Sequence, residues 1–170
     1  VGEGPRVLDL RGTVADAAAL APAVAHVLSG GVLAYPTETV YGFGGGMDGD
    51  AVERVRRVKR RGEAKPLLLL VRDAEQVRGL GWTDEARELA RIFWPGALTL
   101  VLRDPDGLFP VGVRSAEGTV AVRVSPHPVV ALLMDALDGP MTSTSANAPG
   151  SPPARSGGDA LAVARALGAG

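Results

Sequence analysis

The run MTSTSAN (141–147) sets Thr142, Ser143, Thr144 and Ser145 side by side and closes with Asn147. Short hydroxyl and amide donors at the carboxyl end of a strand suit phosphate or carboxylate oxygens, and open α/β sheets place their ligands at such ends. A polar strand edge is the competing reading. A second candidate is Arg123, in TVAVRV (119–124). Side chains alternate along a strand, so Thr119, Ala121 and Arg123 share one face while Val120, Val122 and Val124 take the other. A guanidinium on the polar face can grip a carboxylate or phosphate through two parallel hydrogen bonds, or it can serve a structural ion pair.

The third candidate is a lysine. Residues 50–60 read as a helix with an apolar stripe of Val52, Val55 and Val58. At about 100° per residue, Lys59 projects between Val52 and Val55 and so points along the buried side. A lysine there snorkels out at the helix end or faces an internal anion. Arg54, Arg56 and Arg57 read as a solvated cationic face that complements the helix dipole. Arg61 comes just before Gly62, where the helix should stop, and GEAKP (62–66) gives a flexible loop carrying Lys65.

The stretch AYPTETVYGFGGG (34–46) follows an apolar strand with Thr37, Glu38, Thr39, Tyr41 and then glycines, far more than a turn requires. Glu38 is the one carboxylate inside a candidate site. Gly44, Gly46 and Gly49 match G-x-G-x-x-G, with a helix, a buried strand and Asp73 after them, which resembles a dinucleotide fingerprint. The fit is poor, because residues 37–43 intervene where the fingerprint wants its first glycine directly after the strand. No Gly-Lys-Ser/Thr follows to make a P-loop. The plainer explanation is glycines that let the chain pass close to a neighbouring element.

The elements that must position these groups alternate. Helices are expected over 17–29, 50–60, 83–94, 128–137 and 158–167, and strands over 32–36, 66–71, 97–102, 119–124 and 140–144. In the helix 83–94, Ala86, Leu89, Ala90 and Phe93 are placed on the inner face. The strands 97–102 and 119–124 have no obvious helix between them, so the sheet is expected to be mixed, in an α/β fold. At 170 residues the chain has a one-domain length, and 46% apolar residues are enough for a core. The net charge of −1 predicts neither nucleic-acid nor membrane binding. No apolar run reaches about 18 residues, and no signal peptide is visible, so a cytoplasmic location is expected. There is no cysteine, which removes disulfides and thiolate ligands. His26 and His127 are too far apart in context to suggest a metal pair, and no Ser-His-Asp arrangement stands out, so no protein metal site is expected.

Five segments, YPTETVYGFG, VKRRGEAKPL, FWPGALTLVL, TVAVRVSPHP and TSTSANAPGSPP, resemble the YrdC-like family in order and spacing, over about Gly31 to Pro153. The family's Lys-x-Arg and Ser-x-Asn signatures appear as Lys59-Arg60-Arg61 and Ser145-Ala146-Asn147. The resemblance implies a YrdC-like open twisted mixed sheet flanked by helices, with a concave cationic face, as a single catalytic domain over 1–170. It implies synthesis of a threonylcarbamoyl-adenylate from L-threonine, bicarbonate or carbon dioxide, and ATP with Mg2+, releasing pyrophosphate. No tightly bound prosthetic group is implied. A partner enzyme would pass the threonylcarbamoyl group to the adenosine beside a tRNA anticodon, with weak tRNA contact by this chain as an option.

By the same resemblance, Lys59 and Arg61 would be catalytic. Thr37, Tyr41, Arg123 and Ser143 would hold threonine, with Tyr41 as a lining. Arg61, Lys65, Thr119, Ser145, Asn147 and Pro153 would hold ATP. Carbamate, phosphates and amino-acid carboxylate are all anionic, so fixed cations rather than a nucleophile suit the chemistry. The chain departs from the family at Pro149, Ala97, Phe43, Lys65 and Leu70, which stand where members often carry serine, proline, leucine, asparagine and histidine. The alternatives are a non-catalytic RNA-binding module of the same fold and a domain forming a related carbamoyl-adenylate.

Overall fold

The computed structural model describes residues 4–10, 17–60 and 65–168. Its sheet has six strands: β1 (Leu33–Tyr35), β2 (Gly42–Gly45), β3 (Leu68–Leu70), β4 (Leu100–Arg103), β5 (Thr119–Arg123) and β6 (Met141–Ser145), in the spatial order β1-β2-β6-β3-β5-β4. Only β3 and β5 run parallel; the other pairings are antiparallel, so the sheet is mixed as the sequence predicts. Five helices cover it: α1 (Ala17–Leu28), α2 (Gly49–Val58), α3 (Asp84–Phe93), α4 (Pro128–Leu137) and α5 (Gly157–Leu167). A short 3-10 turn at Ala74–Val77, capped by Asp73, was not foreseen. No helix among the described residues is long and apolar enough to cross a membrane.

Cross-strand partners point to the same side of a sheet, so the register defines two faces. Leu69, Val122 and Thr142 lie in one row, with Val52 and Val55 of α2 and Ala86 and Ala90 of α3 joining the core on that side. Tyr35, Leu70 and Met141 belong to the opposite face, where α1 and α4 supply Leu20, Ala23, Val130, Leu133 and Met134. Ser143, Ser145, Ala121 and Arg123 alternate onto this second face. A third cluster joins Phe43, Ala146 and Ala154 to Ala160 and Ala164 of α5.

Four sequence expectations change. The glycine run is a buried strand, β2, antiparallel to both neighbours, which a dinucleotide-binding βαβ turn cannot be. A β-carbon at Gly44 would lie 2.1 Å from the Thr142 carbonyl oxygen, so this strand tolerates glycine for want of space. In α3 the buried residues are Ala86 and Ala90, while Leu89 and Phe93 are 40% and 51% exposed. Small residues let α3 lie close to its neighbours, and that turns the larger ones outward. Arg56 is buried rather than solvated, because the turn at Gly112 packs onto it: a β-carbon there would fall 2.8 Å from the guanidinium. Finally, the strand expected over 97–102 forms at Leu100–Arg103, since Gly96 and Leu98 are held by other bonds, to the Val124 carbonyl and from the Trp94 indole.

Helix α4 starts at His127, whose Nδ1 accepts from the Val129 N–H at 3.2 Å, with Pro128 in the first turn. Burial lowers the His127 pKa from its ordinary value, and the nearby charge of Glu38 pulls the other way. A depressed histidine pKa means that the fold disfavours the proton, which the unfolded chain takes up below about pH 6.5. Stability is therefore expected to be flat above that value and to fall as the pH drops through it. His127→Asn keeps a cap acceptor without a titrating ring. It should flatten the decline in thermal midpoint between about pH 7 and 5; an unchanged decline would refute the assignment.

Candidate active site

Two polar clusters meet the second face of the sheet. The first forms where α2 ends beside the carboxyl end of β6. Lys59 is the residue that caps α2, and Arg60 after it takes a left-handed conformation (φ 48) that stops the helix. The Lys59 side chain is 7% exposed. Its ammonium donates to the Ser145 carbonyl at 2.6 Å and the Asn147 carbonyl at 2.8 Å, and also to Asn147 Oδ1. Ser145 Oγ donates to the same Oδ1 at 2.6 Å. Asn147 Nδ2 donates to the Ala148 and Ser151 carbonyls, so this amide also ties down the loop that follows. The base of that loop is closed by the Ala154 N–H on the Ala146 carbonyl.

The second cluster surrounds Arg123. Its Nε and Nη2 donate to Thr99 Oγ1 at 3.0 and 2.7 Å, and its Nη1 donates to Glu38 Oε1 at 3.0 Å. The other Glu38 oxygen accepts from Ser125 Oγ, which in turn accepts from the His127 N–H. Glu38 thus brings the 36–41 loop over the sheet to Arg123. Both partners are largely shielded, with side chains 21% and 15% exposed. The guanidinium keeps further N–H donors beyond these contacts. Leu70 of β3 pairs with Arg123 on one side and Met141 on the other, so Arg123 stands level with the start of β6. The two clusters are therefore separated by about 13 Å along the strand direction, with Ser143 between them.

The predicted residues fall into place unevenly. Lys59, Ser145 and Asn147 form one hydrogen-bonded unit, and Arg123 and Ser143 lie on the same face. Ser143 Oγ accepts from the buried Tyr35 hydroxyl at 2.7 Å. The Thr37 hydroxyl closes its own loop, donating to the Val40 carbonyl at 2.6 Å and accepting from the Thr39 and Val40 N–H groups. Thr119 bonds Ser115 at the start of β5, level with Ser145. Lys65 and Pro153 are exposed, and Pro153 lies on the loop that Asn147 ties down. Arg61 lies outside the described residues. Tyr41 packs against the cluster that holds Phe43 and Ala160, and its hydroxyl lies against Gly157 at the start of α5. Strand alternation explains this, because Tyr41 takes the phase of Phe43 rather than that of Gly42.

Thr99, Ser125 and Tyr35 were not foreseen as site residues. The only signal for Ser125 was its place directly after the arginine strand; Thr99 and Tyr35 look like ordinary strand residues. Of the acidic groups, Glu38 was noted in sequence, but not as the partner of Arg123. A separate open cleft of about 370 Å³ lies beside α3, lined by Trp82, Arg87, Arg91 and Trp94. It holds none of the predicted residues, and its arginines are engaged, Arg72 with Asp73, Arg87 over the Trp82 ring and Arg91 with Glu88.

The Sua5/YciO/YrdC family model, described as "Telomere recombination", matches residues 26–166. The chain belongs to this family. A curated Sua5/YciO/YrdC relative, "Threonylcarbamoyl-AMP synthase" of Marinobacter nauticus, is 42% identical over 139 residues, 80% of this chain and 73% of the relative. Among solved structures, Sua5 of P. abyssi complexed with L-threonine superposes with a TM-score of 0.81 at 33% identity, covering 86% of this chain and 44% of that one. The chain therefore spans less than half of that Sua5. YciO of E. coli gives a TM-score of 0.72 at 29% identity, over 80% of this chain and 67% of its own. In this chain Lys59 of the Lys-x-Arg signature and Ser145 and Asn147 of the Ser-x-Asn signature form one hydrogen-bonded unit.

Removing the Asn147 amide strips the buried ammonium of a charged hydrogen bond and frees the 148–153 loop. Asn147→Ala is expected to lower unfolding stability by about 1.5–3 kcal/mol in urea titration, the range for hydrogen bonds to charged groups. A loss below about 0.5 kcal/mol would show that water replaces the amide and that the unit is not structural.

Proposed function

We propose that the chain makes threonylcarbamoyl-AMP and pyrophosphate from L-threonine, bicarbonate or carbon dioxide, and ATP. The observation that carries the reading is the pairing of a buried, hydrogen-bonded lysine at the end of β6 with a part-buried arginine level with the start of β6, with serines on the strand between them. An elongated anionic ligand laid along β6 would meet a cation at each end. The relatives' names point to the same chemistry.

The steps follow from charge. The threonine ammonium gives up a proton, and the resulting amine condenses with bicarbonate to a carbamate, releasing water. A carbamate oxygen then attacks the α-phosphorus of ATP, and pyrophosphate leaves. Arg123, held still by Glu38 and Thr99, would receive the amino-acid carboxylate, with Ser143 and Thr37 beside it. Lys59 and Arg61 would face the charge that develops at the α-phosphate. Lys65, Thr119, Ser145, Asn147 and Pro153 would border the nucleotide. Preorganised cations of this kind stabilise the transition state without a covalent intermediate. Among the described residues no three His, Asp or Glu side chains gather as a metal cage. Magnesium enters as part of the Mg-ATP substrate.

The remaining parts of the reading concern context. The 170 residues act as one catalytic unit in the cytoplasm, and the labile adenylate passes to a partner enzyme that modifies the adenosine beside a tRNA anticodon. Weak tRNA contact by this chain belongs to the same picture.

Pyrophosphate release from Mg-ATP is expected only when L-threonine and bicarbonate are both present, and is expected to be lost in Lys59→Ala. Arg123→Ala should raise the threonine KM about 10- to 100-fold while moving the ATP KM little, as loss of a charged contact predicts. No release with any amino acid, from folded protein that still binds ATP, would overturn the reading in favour of a related carbamoyl-adenylate or a non-catalytic RNA-binding role.

A further inference from the structure

We propose that Tyr35 is a positioning residue for the amino-acid subsite: it aims the Ser143 hydroxyl at an acceptor oxygen of the bound amino acid, and the glycines of β2 form the slot that lets it do so. This rests on the reading of Ser143 as a threonine contact.

Tyr35 stands on β1, opposite Gly42 of β2, while Ser143 stands on β6, opposite Gly44. One whole strand lies between them, a separation of about 10 Å. The Tyr35 ring bridges it by lying across β2. A β-carbon on Gly42 would come within 3.1 Å of the ring, and one on Gly44 within 2.8 Å of the hydroxyl. A side chain at either position would push the ring away. The phenol oxygen reaches Ser143 Oγ at 2.7 Å, with Tyr35 1% exposed and Ser143 5% exposed.

The direction of that bond matters. Burial, the largest influence, raises the Tyr35 pKa far above its ordinary value, and the charge of Glu38 adds to it. The hydrogen-bond geometry makes the Tyr35 hydroxyl the donor to Ser143 Oγ, and burial keeps the phenol protonated to play that part. A serine hydroxyl has a single proton. With its oxygen accepting from Tyr35, Ser143 has its own O–H to give. It is therefore set as a donor, which selects an acceptor oxygen on the ligand and disfavours a donor group. Arg123, on the same face, is also a pure donor, and its acceptor Glu38 is already bonded to it and to Ser125.

The test uses the full chain. Threonine binding is measured by calorimetry, and threonine and ATP KM values by pyrophosphate release. Tyr35→Phe keeps the ring and removes the donor. Threonine Kd and KM are expected to rise about three- to tenfold, with the ATP KM unchanged, as for one neutral hydrogen bond. Ser143→Ala should weaken threonine binding at least as much. The double variant should then be no worse than Ser143→Ala alone, because Tyr35 acts only through that serine. Gly42→Ala, which nudges the ring, should move threonine affinity in the same direction and serves if Tyr35→Phe does not fold. Unchanged threonine affinity in these variants, equal losses for ATP and threonine, or additive effects in the double variant would each overturn the proposal. Wild-type protein that binds no threonine would overturn the functional reading and this proposal together.

Discussion

An ammonium group taken out of water must be surrounded by oxygen atoms, and Lys59 imposes that demand on everything around it. It caps the helix whose Val52 and Val55 lie in the core, so its position is tied to the seating of α2. Its head meets the carbonyls of Ser145 and Asn147, which fixes how β6 ends and where the chain turns next. The cost of burying a charge is high unless hydrogen bonds replace the lost water. Oxygens from the backbone and side chains of a single turn, Ser145 to Asn147, meet the Lys59 ammonium. Helix end, strand end and loop base are thereby set by one group.

Arg123 is handled differently. It sits within a strand whose valines belong to the core, so its backbone is fixed by sheet pairing before any side-chain contact is made. Glu38 and Thr99 then fix the guanidinium. The carboxylate arrives on a loop, and that loop carries Thr37, whose hydroxyl spends itself on local turn bonds. The loop is therefore shaped by its own short-range contacts and anchored at long range by one ion pair. An arginine held in place by such a frame loses little rotamer freedom when an anion binds.

The sequence revealed the parts of this arrangement that depend on periodicity. Alternation put Arg123 on the polar face and the valines in the core. Helical phase put Lys59 on the buried side of α2. The same rules failed where close packing overrides hydrophobicity. Leu89 and Phe93 looked like the inner face of α3, yet the approach distance selected Ala86 and Ala90. Arg56 looked solvated, yet a glycine turn from far along the chain covers it. The glycines of β2 read as a loop because glycine is a poor strand former. Their strand exists because β1 and β6 supply hydrogen bonds on both sides, and no local signal carries that. Tyr41 was legible as a packed aromatic, but its direction depended on the phase of a strand that was not foreseen.

Asn147 holds the lysine with the oxygen of its amide and the following loop with the nitrogen. An amide is flat, so the two atoms cannot swing independently. Turning the nitrogen away from the Ser151 carbonyl swings the oxygen off the ammonium as well. The position of the 148–153 segment and the ligation of the lysine thus form a single thermodynamic cycle: whatever stabilises one position of the loop changes the affinity of the ammonium for an incoming anion by the same free energy. A planar side chain only a few atoms long acts as the axle joining them.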